Sequence, residues 1–139
     1  MVLSKQKRLC ICGDSNMPKE VESVMAAERQ TADEIYSMVR SAIIDKNIVS
    51  ASYRGYIREM CPHVIGKKNG HPQALLYQFA GGSRSGLEPD GSPANWRCLR
   101  MDELSDVFIK QSAGEWHTAS NYSIRQTCVD DIEVKVDVR

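Results

Sequence analysis

The chain predicts a mainly β protein with an N-terminal helix, organised as a small SH3-like or Sm-like barrel, and three observations carry that expectation. Apolar residues recur at three and four up to about Lys46 and then alternate. Two tight-turn signals, Arg54-Gly55 and Asn69-Gly70, separate β-branched and aromatic runs. The length of 139 residues, with 42% hydrophobic and 26% charged side chains, supports one folded domain with an appendage.

Taken in order, a short helix is expected within residues 16–30, where Pro18 follows Asn16 and Val21, Val24 and Met25 recur at helical spacing. Thr31-Ala32-Asp33-Glu34 reads as a capping box, and Ile35, Met38, Val39, Ala42 and Ile43 continue a helix to about Lys46. Strands are expected over 48–53, over 56–66 with an interruption at Pro62, and over 73–79 after the Asn69-Gly70 turn. A Gly-, Ser- and Pro-rich stretch from Gly81 to Asn95 is long for a barrel connection and reads as a flap or a disordered excursion. Strands over 96–101 and 107–110, with a helical turn between them, complete the meander. Residues 111–139 form an extension in which Ile132, Val134, Val136 and Val138 alternate with charged residues. Such a strand closes the barrel within its own chain or adds to a neighbour's edge and builds a homo-oligomer.

The strand around Arg97-Cys98-Leu99-Arg100-Met101 sets two guanidiniums among apolar neighbours. Period two puts Arg97, Leu99 and Met101 on one face and Trp96, Cys98 and Arg100 on the other, so each face carries one cation. Arginine stays charged and presents a planar fork suited to carboxylates and phosphates. Two readings stay open: ion pairs with Glu59, Asp102 or Asp106, or an anion-binding surface.

Formal net charge is zero, distributed as −1 over residues 1–39, +3 over 40–110 and −2 over 111–139. That balance allows a local anion site and argues against tight nonspecific binding of long nucleic acid. The apolar part of the first twelve residues is too short for a signal peptide or a membrane span, so a cytoplasmic protein without membrane contact is expected. Five scattered cysteines, with no Cys-x-x-Cys pair, predict reduced thiols. Cys10-Ile11-Cys12 and Cys61-Pro62-His63 lack zinc-knuckle spacing, and no metal or other cofactor is expected.

Catalytic signals are weak. Gly82-Ser83-Arg84-Ser85-Gly86 places an arginine where a nucleophile elbow needs serine. His63, His71 and His117 follow no metal or triad spacing, and Cys61 beside His63 is a thiol of uncertain geometry. A protein that is not an enzyme is expected.

Val49, Tyr53-Arg54-Gly55, Arg58 and Pro62, followed by Arg97, Arg100 and Asp102 with Leu99, Met101 and Leu104 between and after them, resemble the opening and closing motifs of the WYL domain family over about residues 35–110. The eponymous Trp-Tyr-Leu falls near Gln73-Ala74-Leu75, where only leucine is kept, and Glu103 stands where many members carry arginine. The resemblance is to a divergent branch of bacterial regulatory domains thought to sense nucleotides or nucleic-acid fragments. It implies Tyr53, Arg58, Arg97 and Arg100 as ligand-binding residues, with Tyr77 as a further candidate. Guanidiniums take phosphate bidentately and tyrosine rings offer a stacking face. Two functions are therefore carried forward. One is a regulatory module that binds a nucleotide or short single-stranded nucleic acid and signals through an effector protein or an oligomer. The other is a protein-interaction barrel that has lost its ligand.

Overall fold

The computed structural model describes residues 29–111, 114–123 and 125–137. Apart from its last two residues, the short helix expected within 16–30 lies outside them.

Helix α1, Ala32–Asp45, begins at the expected capping box. The Glu34 amide donates to Thr31 Oγ1 at 3.1 Å, and the Thr31 amide donates to Glu34 Oε1 at 2.9 Å. Lys46 ends the helix in the left-handed region at φ 55°, its amide returning to the carbonyls of Ala42 and Ile43. Ile35, Val39, Ala42 and Ile43 are buried, the stripe that the sequence spacing marks.

Six strands follow: β1 Ile48–Tyr53, β2 Tyr56–Lys68, β3 His71–Gly81, β4 Trp96–Arg100, β5 Leu104–Lys110 and β6 Asp131–Lys135. All pairings are antiparallel and run β4-β3-β2-β1-β5. Both hairpins turn on two residues of positive φ, Arg54 and Gly55 at 51° and 85°, Asn69 and Gly70 at 51° and 82°. A 3-10 turn, Met101–Glu103, links β4 to β5. β5 begins three residues earlier than its apolar pattern indicates, at Leu104. No ladder joins β4 to β5 among the described residues, so the sheet is open and the closed barrel expected from the sequence is not formed by hydrogen bonds.

The long strand β2 organises both layers. Its first half pairs with β1, and its second half pairs with β6, Val64 opposite Lys135 and Ile65 opposite Val134. The terminal strand thus pairs within its own chain. Gly66 permits that approach, since a Cβ there would meet the Asp131 carbonyl at 2.0 Å. Pro62, without an amide hydrogen, sits at a register shift against β3 that makes His63 the extra residue and leaves it fully buried.

Two apolar layers result. α1 covers one face over Val49, Met60, Ile65, Leu76, Leu99 and Met101. Segments of the 114–137 tail cover the other, bringing Ala119, Cys128 and Val129 onto Cys61, Tyr77, Val64 and Leu75. Glu133 anchors α1 to β6 by accepting from Tyr36 Oη at 2.6 Å and Arg40 Nε at 2.7 Å.

One expectation is corrected outright. Cys98 and Cys128 form a disulfide, Cα to Cα 5.7 Å, that fastens the tail to β4. The two cysteines lie 30 residues apart, and only the return of the tail over β3 and β4 brings them together. Cys61 is free and buried, while Cys10 and Cys12 lie outside the described residues. No helix among the described residues is long and apolar enough to cross a membrane.

Candidate functional site

The β1–β2 hairpin, the end of β3 and the start of β4 meet beneath the 82–95 loop. Strand periodicity decides which side chains arrive there. Arg97 lies opposite Leu76 in the β3–β4 ladder, so it shares a face with Leu76 and Gln78, whereas Tyr77 and Trp96 point the other way. Arg58 lies opposite Ala51 on one side and Gly81 on the other. Gly81, at φ 94°, admits no side chain, because a Cβ would fall 2.2 Å from the Ile57 carbonyl.

The resulting cavity of about 460 Å³ is lined by Tyr53, Arg54, Tyr56, Arg58, Ser83, Arg84, Ser85 and Arg97. Arg58 is only 5% exposed. It donates to Gln78 Oε1 at 3.4 Å and to the Tyr53 carbonyl at 3.3 Å, and its Nε has no partner. Arg97 donates through Nε to the same Gln78 oxygen at 2.8 Å, and through its terminal nitrogens to the Ala94 and Gly86 carbonyls and Ser83 Oγ at 3.1 to 3.2 Å. Gln78, fully buried, holds its own orientation by donating to the carbonyls of Ala80 and Gly82, each at 3.0 Å.

One neutral amide oxygen therefore accepts from two guanidiniums. Among the described residues neither Arg58 nor Arg97 has a carboxylate partner. Burial, together with the nearby Arg97 charge, lowers the proton affinity of Arg58, and burial lowers that of Arg97. Neutral oxygens solvate these cations without cancelling their charge.

The two tyrosines differ in what they offer. Tyr53 is 8% exposed, and the guanidiniums of Arg54 and Arg58 stand over its ring at 5.2 and 5.0 Å. Burial and then the Glu103 charge raise its hydroxyl pKa. Tyr56 is 39% exposed at the mouth, with the Arg58 guanidinium 5.8 Å from its ring centroid. Arg54, on the cavity wall, is paired with Glu103 at 3.1 Å, so the glutamate that departs from the WYL pattern is engaged by Arg54 rather than by Arg97.

Of the five ligand-binding residues expected from the sequence, Tyr53, Arg58 and Arg97 come together and two do not. Tyr77 lies fully buried on the opposite side of β3, donating to Asp90 Oδ1 at 2.8 Å and accepting from the Gly91 amide. Arg100 is bound by Asp102 at 2.7 and 3.1 Å and stands beside His71. Sequence reasoning missed Arg54, Tyr56, Gln78 and the Ser83-Arg84-Ser85 tip. Gln78 carried a usable signal, being the polar member of the buried alternation Ala74, Leu76, Gln78.

The 82–95 loop is fastened rather than loose. Asn95 Oδ1 accepts from the Glu88 amide at 2.9 Å, and Asn95 Nδ2 donates to the Glu88 and Pro89 carbonyls.

The other face of the sheet gathers Cys61, His117 and Asp90, residue types that a thiol nucleophile employs. Their geometry does not build one. His117 Nδ1 stands 2.8 Å from the Glu115 carbonyl, which only accepts, so that nitrogen carries a proton and faces Cys61 Sγ at 4.0 Å as a donor. Burial pushes the Cys61 thiol up to about 11. His63 sits nearby as a satisfied core histidine, its nitrogens 2.8 Å from the Cys61 carbonyl and 2.9 Å from Thr118 Oγ1. Among the described residues no group of three His, Cys, Asp or Glu side chains is arranged to hold a metal ion.

No family model, curated protein or solved structure matches the chain.

Proposed function

We propose that this chain is a non-catalytic, WYL-like regulatory module that binds a nucleotide or a short single-stranded nucleic acid and signals through a partner protein or an oligomer. The observation that carries the reading is the convergence of Arg58 and Arg97 on the single neutral oxygen of Gln78, without a carboxylate, in a cavity that also holds Tyr53 and Tyr56. Structural arginines in a sheet acquire acidic partners, as Arg100 does with Asp102. A buried and a half-buried arginine left with neutral acceptors are suited to a phosphate, and the exposed part of the Tyr56 ring supplies a face for a base. The strand order, with β5 returning beside β1 after a 3-10 turn, supports an SH3-like or Sm-like plan.

Calorimetric titration with nucleoside monophosphates and short single-stranded RNA and DNA at two salt concentrations tests the proposal. The expected result is salt-sensitive binding that Arg97→Ala removes. Absence of binding across the panel would reject it.

A second reading, a protein-interaction module, draws on Ile57 and Phe108, which are 68% and 61% exposed. The ladders place them on the same outward side, opposite Ser52 and Ser50 of β1. If that face is the functional one, Phe108→Ser changes sedimentation or partner capture while nucleotide titrations stay blank.

A further inference from the structure

We infer that the arginine cavity selects a phosphate monoester, the doubly charged terminal phosphate of a nucleotide or of an oligonucleotide end, over the singly charged diester of an internal linkage. The inference rests on the phosphate-binding reading above and adds the ligand class to it.

The argument begins with charge. Arg58 is a buried and Arg97 a half-buried cation, neither with an anionic partner among the described residues, and Arg84 adds a third at the exposed loop tip. Glu103 does not offset them, since Arg54 occupies it at 3.1 Å. A diester brings one negative charge and two non-bridging oxygens. A monoester near neutral pH brings between one and a half and two charges and three acceptor oxygens. Two cations whose protein acceptors are all neutral are balanced by the second of these and only half balanced by the first.

The donor set agrees. Arg58 lines the cavity, and its terminal nitrogens make only long contacts, 3.4 Å to Gln78 Oε1 and 3.3 Å to the Tyr53 carbonyl, which leaves them donor capacity for a stronger acceptor. Ser83 Oγ occupies Arg97 at 3.2 Å and is also 2.7 Å from the Gly86 carbonyl, so a phosphate oxygen displaces it from the guanidinium without orphaning it. Ser85 lines the same wall and adds a hydroxyl. A terminal phosphate presents oxygens on three sides to such a set, whereas an internal phosphate must leave two sides open for chain to enter and exit. Tyr56, half exposed beside Gly82, then meets the sugar or base that follows.

The test is calorimetric titration of the full chain with a mixed-sequence trinucleotide bearing a 5′-phosphate, the same trinucleotide without it, and the four nucleoside 5′-monophosphates. At pH 8 the phosphorylated trinucleotide is expected to bind at least about tenfold tighter than the unphosphorylated one, by the added charge and oxygen. The ratio should shrink toward pH 5, because the monoester gains a proton near pH 6. The charged and titratable groups at the cavity are Tyr53, Arg54, Tyr56, Arg58, Arg84 and Arg97, with Glu103 on the rim. All of them face both trinucleotides, so the ratio isolates the ligand's own titration.

Ser83→Asp, on the loop, places a carboxylate against Arg97 and is expected to abolish the monoester preference without lowering the melting temperature. Equal affinity of the two trinucleotides overturns the inference and leaves phosphate binding at this site standing. No binding by any probe overturns both. If the preference holds, the tighter of the monophosphate and the phosphorylated trinucleotide tells whether the source is a free nucleotide or a strand end.

Discussion

Arg58 and His63 lie five residues apart on the same strand, both buried, and burial has opposite outcomes for them. His63 escapes the cost of a buried charge by giving up its proton. Burial brings its pKa down to about 4, and the Cys61 carbonyl and Thr118 hydroxyl satisfy the neutral ring. Arginine has no such escape at any ordinary pH, so Arg58 stays a cation among neutral acceptors with Nε unpaired. The histidine end of β2 is thus organised for stability. The arginine end keeps a buried charge that no carboxylate among the described residues balances.

The largest effect expected at the histidine end comes from His63→Ala. It opens a void among Trp96, Trp116 and Tyr122, whose rings lie 4.6 to 4.9 Å from the imidazole, and strips two polar groups of their partner. A loss of about 4 kcal/mol follows from cavity and hydrogen-bond costs together, read by urea denaturation. Ligand affinity of the folded fraction should not change, and a matching loss of affinity would erase the contrast between the two ends.

Acid probes the same contrast without mutation. Folding lowers the proton affinity of His63, so between its ordinary 6.5 and about 4 the unfolded chain binds more protons. Stability from this residue is complete above 6.5 and falls as pH drops toward 4, by about 3 kcal/mol. His117 acts in the reverse sense. Burial opposes its charge, but the Glu115 carbonyl and Asp90 outweigh it and raise the pKa, so its contribution is present in acid and lost as pH rises. The acid loss should shrink by about the His63 amount in His63→Leu, the remainder belonging to Asp90, Asp102 and Glu133, whose partners hold their carboxyls below the usual range, as measured by thermal melts from pH 7 to 4.

At the arginine end the expected pattern inverts. Arg58→Met removes an unbalanced buried cation and keeps most of the volume, so stability should stay within about 1 kcal/mol of the parent or rise. Phosphate-ligand affinity should fall by at least about tenfold, since a charge-assisted contact is lost. Destabilisation by several kcal/mol would instead show that Arg58 is a structural residue, and the site reading would lose its central group.

The sequence made the hairpins legible because Asn69-Gly70 and Arg54-Gly55 answer a local need for positive φ, and it made α1 legible because the capping box is complete within four residues. It also held the means to separate the two arginines of β4, since residues three apart on a strand face opposite sides. The family resemblance grouped Arg100 and Tyr77 with Arg97, and alternation pulls them away. What stayed hidden depends on long-range return of the chain. The Cys98–Cys128 bond requires the tail to cross β4, and the role of Gln78 requires β2 and β4 to flank β3 with their arginines at the same level. The open sheet was equally invisible, because strand periodicity reports faces and says nothing of whether the two edge strands β4 and β5 meet.

The smallest expected effect is the sharpest control. Arg100 is bound to Asp102 at 2.7 Å, yet both side chains are more than a third exposed. Water screens such a pair, and Arg100→Ala should leave the urea midpoint essentially where it is. Because Arg100 belongs to the face opposite Arg97, its loss should leave phosphate affinity unchanged while Arg97→Ala abolishes it. Equal losses from both variants would mean that binding follows the diffuse positive charge of residues 40–110 and not the cavity, and titration at raised salt would then weaken both variants and parent alike. A loss confined to Arg97→Ala assigns the affinity to the one face of β4 where a guanidinium has no acid beside it.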